Sequence, residues 1–230
     1  MYPKAKVLSV RNALALLVLA SALAFAAGCV APFSEMQSAK MLGKGNFEVT
    51  PGFTTVSVSD EGETEHLQNE IGAQIGYGIA NFLDLRLRYE HIYASVEDEG
   101  ETETISANVL AFGPKFRLAK DWLALYIPIG FGFGGDLDSE DISDTWQVHP
   151  TLLMTLPIGK FLEINPSAKI MIPFSSDSFD TLYAFNLGLA ISSDISKWAV
   201  RPEVGICTNF EGGHFLQFSI GLTLGSRLFK

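Results

Sequence analysis

The chain has 230 residues, enough for one domain behind a processing segment. It is 47% hydrophobic yet carries a net charge of −10, which excludes nucleic acid as a partner because phosphates need a basic surface. With only Cys29 and Cys207, it has no disulfide framework.

Residues 1–28 read as a secretory signal peptide. Lys4, Lys6 and Arg11 precede the apolar run Ala13 to Ala27, which is too short for a membrane-spanning helix of ~20 residues. Two exits are open. Ala26-Ala27-Gly28-Cys29 resembles the lipobox of bacterial lipoproteins, although Ala26 stands where that family has Leu. The resemblance implies acylation of Cys29, and Val30 after the cysteine resembles lipoproteins sent to the outer membrane. The alternative is ordinary cleavage after Ala26, through the A-x-A pattern Ala24-Phe25-Ala26. Either way the mature charge approaches −13, because residues 1–28 hold three bases and no acid. Residues 29–45 are expected to be a periplasmic tether, and 46–230 the folded domain.

From residue 46 the chain alternates by two. Leu83, Leu85, Leu87, Tyr89 and Tyr93 alternate with Asp84, Arg86, Arg88 and Glu90; Leu123, Leu125, Ile127, Ile129, Phe131 and Phe133 alternate with small or polar residues. The pattern predicts ten strands, near 46–58, 67–79, 83–95, 104–118, 122–134, 145–156, 161–173, 182–192, 198–208 and 214–228; counts of eight and twelve remain open. Most exceed the ~5–6 residues of a soluble strand and reach the ~9–11 that a tilted membrane-crossing strand needs. Tight connections (80–82, 119–121, 157–160, 193–197) alternate with longer ones (59–66, 96–103, 135–144, 174–181, 209–213), the asymmetry of an outer-membrane barrel. The longer ones hold 17 of the 26 acids and no Lys or Arg, so they form one acidic rim. Asp-Glu-Gly-Glu-Thr-Glu occurs at both 60–65 and 98–103, by duplication of a hairpin or by convergence.

The fold class follows from which face is greasy. The apolar parity is too bulky to fill a narrow lumen and carries no charge in any strand, as a lipid face requires. The polar parity is rich in glycine, for example Gly72, Gly76, Gly78, Gly130 and Gly221, which weakens a water-facing strand but makes room in a tight lumen. Aromatics such as Tyr77, Trp122, Trp198, Trp146 and Phe174 lie near strand ends, as in interfacial girdles. The expected fold is therefore all-β: an up-and-down antiparallel transmembrane barrel, apolar outward.

With Gly113-Pro114-Lys115-Phe116-Arg117 and Gly130-Phe131-Gly132-Phe133-Gly134 added to this pattern, residues 45–230 resemble the small Gram-negative outer-membrane β-barrel proteins. The resemblance implies an outer-membrane location with both termini periplasmic, lipid and lipopolysaccharide as surroundings, and help from the barrel-assembly machinery. It implies no activity. The chain departs from the family where Leu228, rather than an aromatic residue, takes the outward phase near the end. It departs again where Pro51, Pro128, Pro150, Pro166 and Pro202 fall inside strands, at expected bulges.

The inward parity supplies the candidate site: a lumen charge network of Glu48, Glu70, Arg86, Arg88, Glu90, Lys115, Arg117, Glu163, Lys169, Arg201, Glu203 and Arg227. Such charges either pair to hold register or line a narrow passage with a constriction at Arg86, Arg88, Arg117 and Glu90. Arg227 and Glu48 are placed to pair across the closing seam. No catalytic residue is expected. His214 with Ser57 is the best arrangement for a lipid-modifying rim enzyme, a hydrolase or acyltransferase, and nothing orients that base. Asp136, Asp138, Glu140 and Asp141 offer carboxylates for a divalent cation, but without the glycine and glutamate of a calcium-binding loop. No cofactor is expected. The leading reading is a non-enzymatic envelope barrel with a structural or interaction role; a porin-like channel and a rim enzyme are the alternatives.

Overall fold

The computed structural model describes residues 32–60, 63–98, 101–137, 141–175, 181–210 and 214–229. Ten strands close into one antiparallel barrel: β1 (Phe47–Asp60), β2 (Glu63–Ala80), β3 (Leu83–Asp98), β4 (Glu101–Ala119), β5 (Leu123–Tyr126 and Ile129–Phe133), β6 (Gln147–Val148, Thr151–Met154 and Leu156–Ile158), β7 (Leu162–Pro173), β8 (Leu182–Ile191), β9 (Trp198–Thr208) and β10 (His214–Gly225). Each strand pairs with its sequence neighbours, and β10 returns to β1 with Phe53 opposite Ile220. Closure removes the free edges that a lipid environment does not tolerate.

The greasy parity faces outward. Ile71, Ile75, Leu187, Phe218 and Ile220 are exposed, while Glu70, Gln74, Arg86, Arg88 and Glu203 on the other parity are buried. Tyr77, Trp122 and Phe161 end the apolar belt near the tight turns; Trp146, Phe174 and Phe210 end it near the long connections. These two ends are called the short-turn and long-loop ends below.

Three expectations change. The connections assigned to 59–66 and 96–103 are mostly strand, since pairing runs on to Asp60 opposite Glu63 and Asp98 opposite Glu101. β-Branched residues there, Val58, Thr64, Val96, Thr102 and Thr104, favour the extended chain beyond the apolar belt. Of the five strand prolines, Pro128 and Pro150 interrupt β5 and β6, whereas Pro51, Pro166 and Pro202 lie within continuous strands. The register shifts fall elsewhere, at Val56/Ser57, Gly78/Ala80 and Arg117/Ala119. At the β5 break the chain presses on β4: a Cβ on Gly113 would lie 2.3 Å from the Ile127 carbonyl oxygen. Finally, β10 stops at Gly225, and Ser226–Phe229 form a 3-10 turn.

Candidate functional site

The largest departure from expectation is the segment before β1. The described part of the expected tether, residues 32–45, lies inside the lumen: Pro32 to Gln37 and Ala39 are buried. At the long-loop end, Phe33 packs in a cluster with Val56, Met171, Ala184 and Cys207 and meets the Phe215 ring at 5.6 Å. At the short-turn end, Gly45 donates to the Gly78 carbonyl at 2.8 Å and Gly78 donates to that of Asn46 at 2.8 Å. Between these points the segment crosses the barrel from one end to the other.

The wall is shaped to receive it. A Cβ on Gly78 would lie 2.0 Å from the Gly43 carbonyl oxygen, and one on Gly52 would lie 2.6 Å from the Met36 methyl carbon. Gly221 faces the same Met36 side chain from β10. The glycines on the inward parity therefore make room partly for the segment and not only for long side chains opposite. Met36 itself has φ 47°, a left-handed conformation uncommon for a residue with a Cβ.

Side chains of the wall bind the segment's backbone along its length. Glu203 accepts from the amides of Glu35 (2.7 Å) and Met36 (2.8 Å). Lys169 donates to the Pro32 carbonyl at 2.8 Å and pairs with the Glu35 carboxylate at 2.8 Å. Arg88 donates to the Ser34 carbonyl and, at 2.6 Å, to its hydroxyl. Gln74 donates to the Glu35 carbonyl (2.7 Å), and Lys115 to the carbonyls of Ser38 (3.1 Å) and Lys40 (2.9 Å). The Ala39 amide donates to Thr155 (2.7 Å), the Leu42 amide to Asp84 (3.2 Å), and Lys40 pairs with Glu163. Hydrogen bonds to charged groups of this kind contribute ~1.5–3 kcal/mol each, and an unpaired buried amide costs ~1–3 kcal/mol. Opening the lumen therefore means replacing many contacts at once.

The sequence-predicted network divides accordingly. Glu48 pairs with Arg86 at 2.6 Å, Arg88 with Glu90 at 2.8 Å, and Lys115 lies 3.5 Å from Asp84. Lys169, Glu203 and Glu163 instead bind the segment. Glu70 is buried and takes one hydrogen bond, from Gln68 at 3.0 Å. Arg201 donates to the Thr223 hydroxyl at 2.7 Å; among the described residues no carboxylate reaches ion-pair distance of it. Two placements are corrected. Arg117 is exposed beside the β4 bulge, and so lines no constriction. Arg227 is exposed on the 3-10 turn beyond β10, where inward parity has ended, so the Glu48–Arg227 seam pair gives way to Glu48–Arg86. A cavity of about 200 Å³ near the short-turn end is lined by Lys40, Glu48, Glu163, Arg201, Ser196 and Arg227, among others.

The other candidates stay apart. The register puts Ser59, not Ser57, opposite His214, and Ser57 opposite Leu216. His149 faces inward, its Nε2 3.1 Å from Gln147. The Asp136 carboxylate accepts from the Ser106 amide at 2.6 Å. Asp138 and Glu140 lie outside the described residues, as does the side chain of Asp141. Among the described residues no group of three metal-ligating side chains gathers. Cys29 also lies outside them.

No family model matches the chain, and no curated protein resembles it. Solved structures do. Ail, the attachment invasion locus protein of Yersinia pestis, is 12% identical, covering 79% of this chain and 99% of its own, with a TM-score of 0.39. The transport unit of the autotransporter AIDA-I from Escherichia coli is 10% identical over 90% of this chain and 97% of its own, TM-score 0.46. The outer-membrane protease OmpT from Escherichia coli is 10% identical over 78% of this chain and 94% of its own, TM-score 0.37. At such identities the likeness is one of architecture, and the architecture rests on this chain's own strand pairing.

Proposed function

We propose that the protein is a non-enzymatic outer-membrane barrel closed at rest by residues 32–45, with a structural or interaction role carried by its acidic long-loop rim. One observation carries the reading: the lumen is occupied by the chain's own segment, fixed by Glu203, Lys169, Arg88 and Lys115. Eight strands enclose a space that their own side chains fill; ten enclose more, and here the segment takes up the difference. The outward apolar belt between aromatic ends supports the location. Lipid and lipopolysaccharide are its proposed surroundings, the barrel-assembly machinery its proposed route there, and divalent cations bridging acidic hairpins to lipopolysaccharide phosphates a proposed contact.

A second reading has one observation in its favour. Among the described residues the segment's backbone bonds to the wall backbone are confined to Gly45–Gly78–Asn46, so it could withdraw without unravelling a strand and open a passage. Planar-bilayer recording of the full-length protein separates the two. A silent membrane supports the closed barrel; reproducible unitary currents without any trigger would sink it.

A further inference from the structure

The cavity at the short-turn end holds a cation whose hydrogen-bonding capacity the fold does not use up. We propose that this cavity binds a small organic monocarboxylate, with Arg201 on β9 taking the carboxylate and the luminal segment lying against its chain. The inference rests on the segment being seated in the lumen as described for the closed barrel, because Lys40, Met41 and Leu42 form part of the cavity.

Arg201 is 4% exposed, and its side chain lines the cavity. Its Nε donates to the Thr223 hydroxyl at 2.7 Å; among the described residues its two terminal nitrogens hold no hydrogen bond. The inward acids around it are engaged elsewhere: Glu48 with Arg86 at 2.6 Å, Glu163 with Lys40, and Glu203 with the Glu35 and Met36 amides. A guanidinium withdrawn from bulk water with its terminal donors unspent is costly, and a carboxylate is the group whose two oxygens match that fork. Lys40 adds a second cation. Its side chain is 39% exposed, and the ammonium keeps donors beyond the one given to Glu163.

Charge and shape narrow the ligand. Glu48 and Glu163 line the same cavity, and Glu163 Oε2 has no hydrogen bond among the described residues. A dianion such as phosphate would meet that unspent negative charge, whereas a monoanion matches the one uncompensated buried cation. Arg227 also lines the cavity, but from the exposed C-terminal turn, where water and salt screen its charge. Met41 and Leu42 from the segment and Ile195 from the turn between β8 and β9 supply apolar walls, which suit a short hydrocarbon chain better than a bare ion. At about 200 Å³ the space equals that of roughly six or seven waters at ~30 Å³ each, enough for an acid the size of butyrate.

Saturation-transfer NMR on the full-length protein in nanodiscs of zwitterionic lipid tests this, with sodium butyrate as the probe and empty nanodiscs as the blank. The expected result is a saturable butyrate signal that butylammonium does not displace and that inorganic phosphate displaces only at ~tenfold or higher concentration. Arg201→Gln should weaken butyrate about tenfold or more, the loss of a charged hydrogen bond. Ser196→Trp, in the exposed turn beside the cavity, fills the site without touching a buried charge and should do the same should the glutamine variant not fold. Arg117→Ala removes an exposed arginine outside the cavity and should bind butyrate as the unaltered protein does. Folding of each variant is read from the heat-dependent gel shift of an intact barrel. A butyrate signal no greater than that of empty nanodiscs would overturn the proposal. So would displacement by phosphate at equal concentration or by butylammonium, or unchanged affinity in the folded variants at Arg201 or Ser196. Bilayer recordings of the same protein keep the failures apart. A silent protein without butyrate binding loses this site alone; a conducting one loses the closed barrel, and the site with it.

Discussion

Strand β3 has 16 residues and the luminal segment, residues 32–45, is nearly as long, yet their backbones are satisfied in different ways. Every residue of β3 from Leu83 to Asp98 faces a partner on β4, and most face one on β2 as well, so its amides and carbonyls are met by ladders. The segment meets side chains instead, and they come from far along the chain: Glu203 is 168 residues from Glu35. A ladder depends on shape and spacing and tolerates most side-chain changes. A cradle of charged side chains depends on each group in it. The wall should thus be robust where the segment is fragile, and changes to the segment should leave the wall standing.

Deleting residues 33–41 presses the comparison hardest. The expected outcome is a barrel that still shows the heat-dependent gel shift of the native wall but passes ionic current in planar bilayers. Loss of the folded barrel would show that wall and segment are one cooperative unit. The converse variant attacks the wall alone. Ile71 is 53% exposed in the middle of the apolar belt, and Ile71→Arg should cost ~2–4 kcal/mol of barrel stability, as a cation near the bilayer midplane does. Denaturant titration in detergent-free lipid would read that loss, with no leak current in the fraction that folds.

The same difference explains what was legible in the sequence. The wall announces itself because a ladder forces a period of two: Leu85, Leu87 and Tyr89 point outward and Arg86, Arg88 and Glu90 inward, as the alternation requires. The segment has no such period, since nothing repeats along a chain whose partners are scattered over seven strands, and so it reads as a plain tether. Faint signals exist in hindsight. Among the described residues Glu203 and Lys169 face inward with no oppositely charged partner on the wall within ion-pair distance, and Gly52 and Gly221 leave a hollow that the Met36 side chain enters. Counting parity also misleads at defined points. Arg117 keeps the inward phase, opposite Ala124, but it stands at the short-turn rim beside Phe82, where its side chain is exposed; Arg227 lies two residues past the last strand.

Glu203→Ala sharpens the contrast within the lumen. It strips the acceptor from two buried amides and from Gln217 (3.0 Å) while leaving every ladder in place. The expected loss of ~1.5–3 kcal/mol per charged hydrogen bond would raise the population of the unseated segment about tenfold or more. Single-channel recordings should show brief openings absent from the unaltered protein, at unchanged denaturation midpoint. A silent variant would mean that Lys169, Arg88 and Lys115 hold the segment without it.

The smallest effect belongs to Arg117, and it is informative because alternation assigns this residue to the constriction. If that assignment held, removing its charge would unpair a buried acid and cost several kcal/mol, as breaking a buried pair does. The structure instead leaves the guanidinium exposed beside the β4 bulge, with the Arg117 amide bonded to the Phe82 carbonyl at 3.0 Å through the backbone alone. Arg117→Ala keeps that bond, so its expected cost is within ~0.5 kcal/mol, as for surface changes generally. Arg86→Ala is the control, since Arg86 is buried and its loss strands Glu48. Equal destabilisation of the two variants in denaturant titrations would put the Arg117 side chain back inside the barrel.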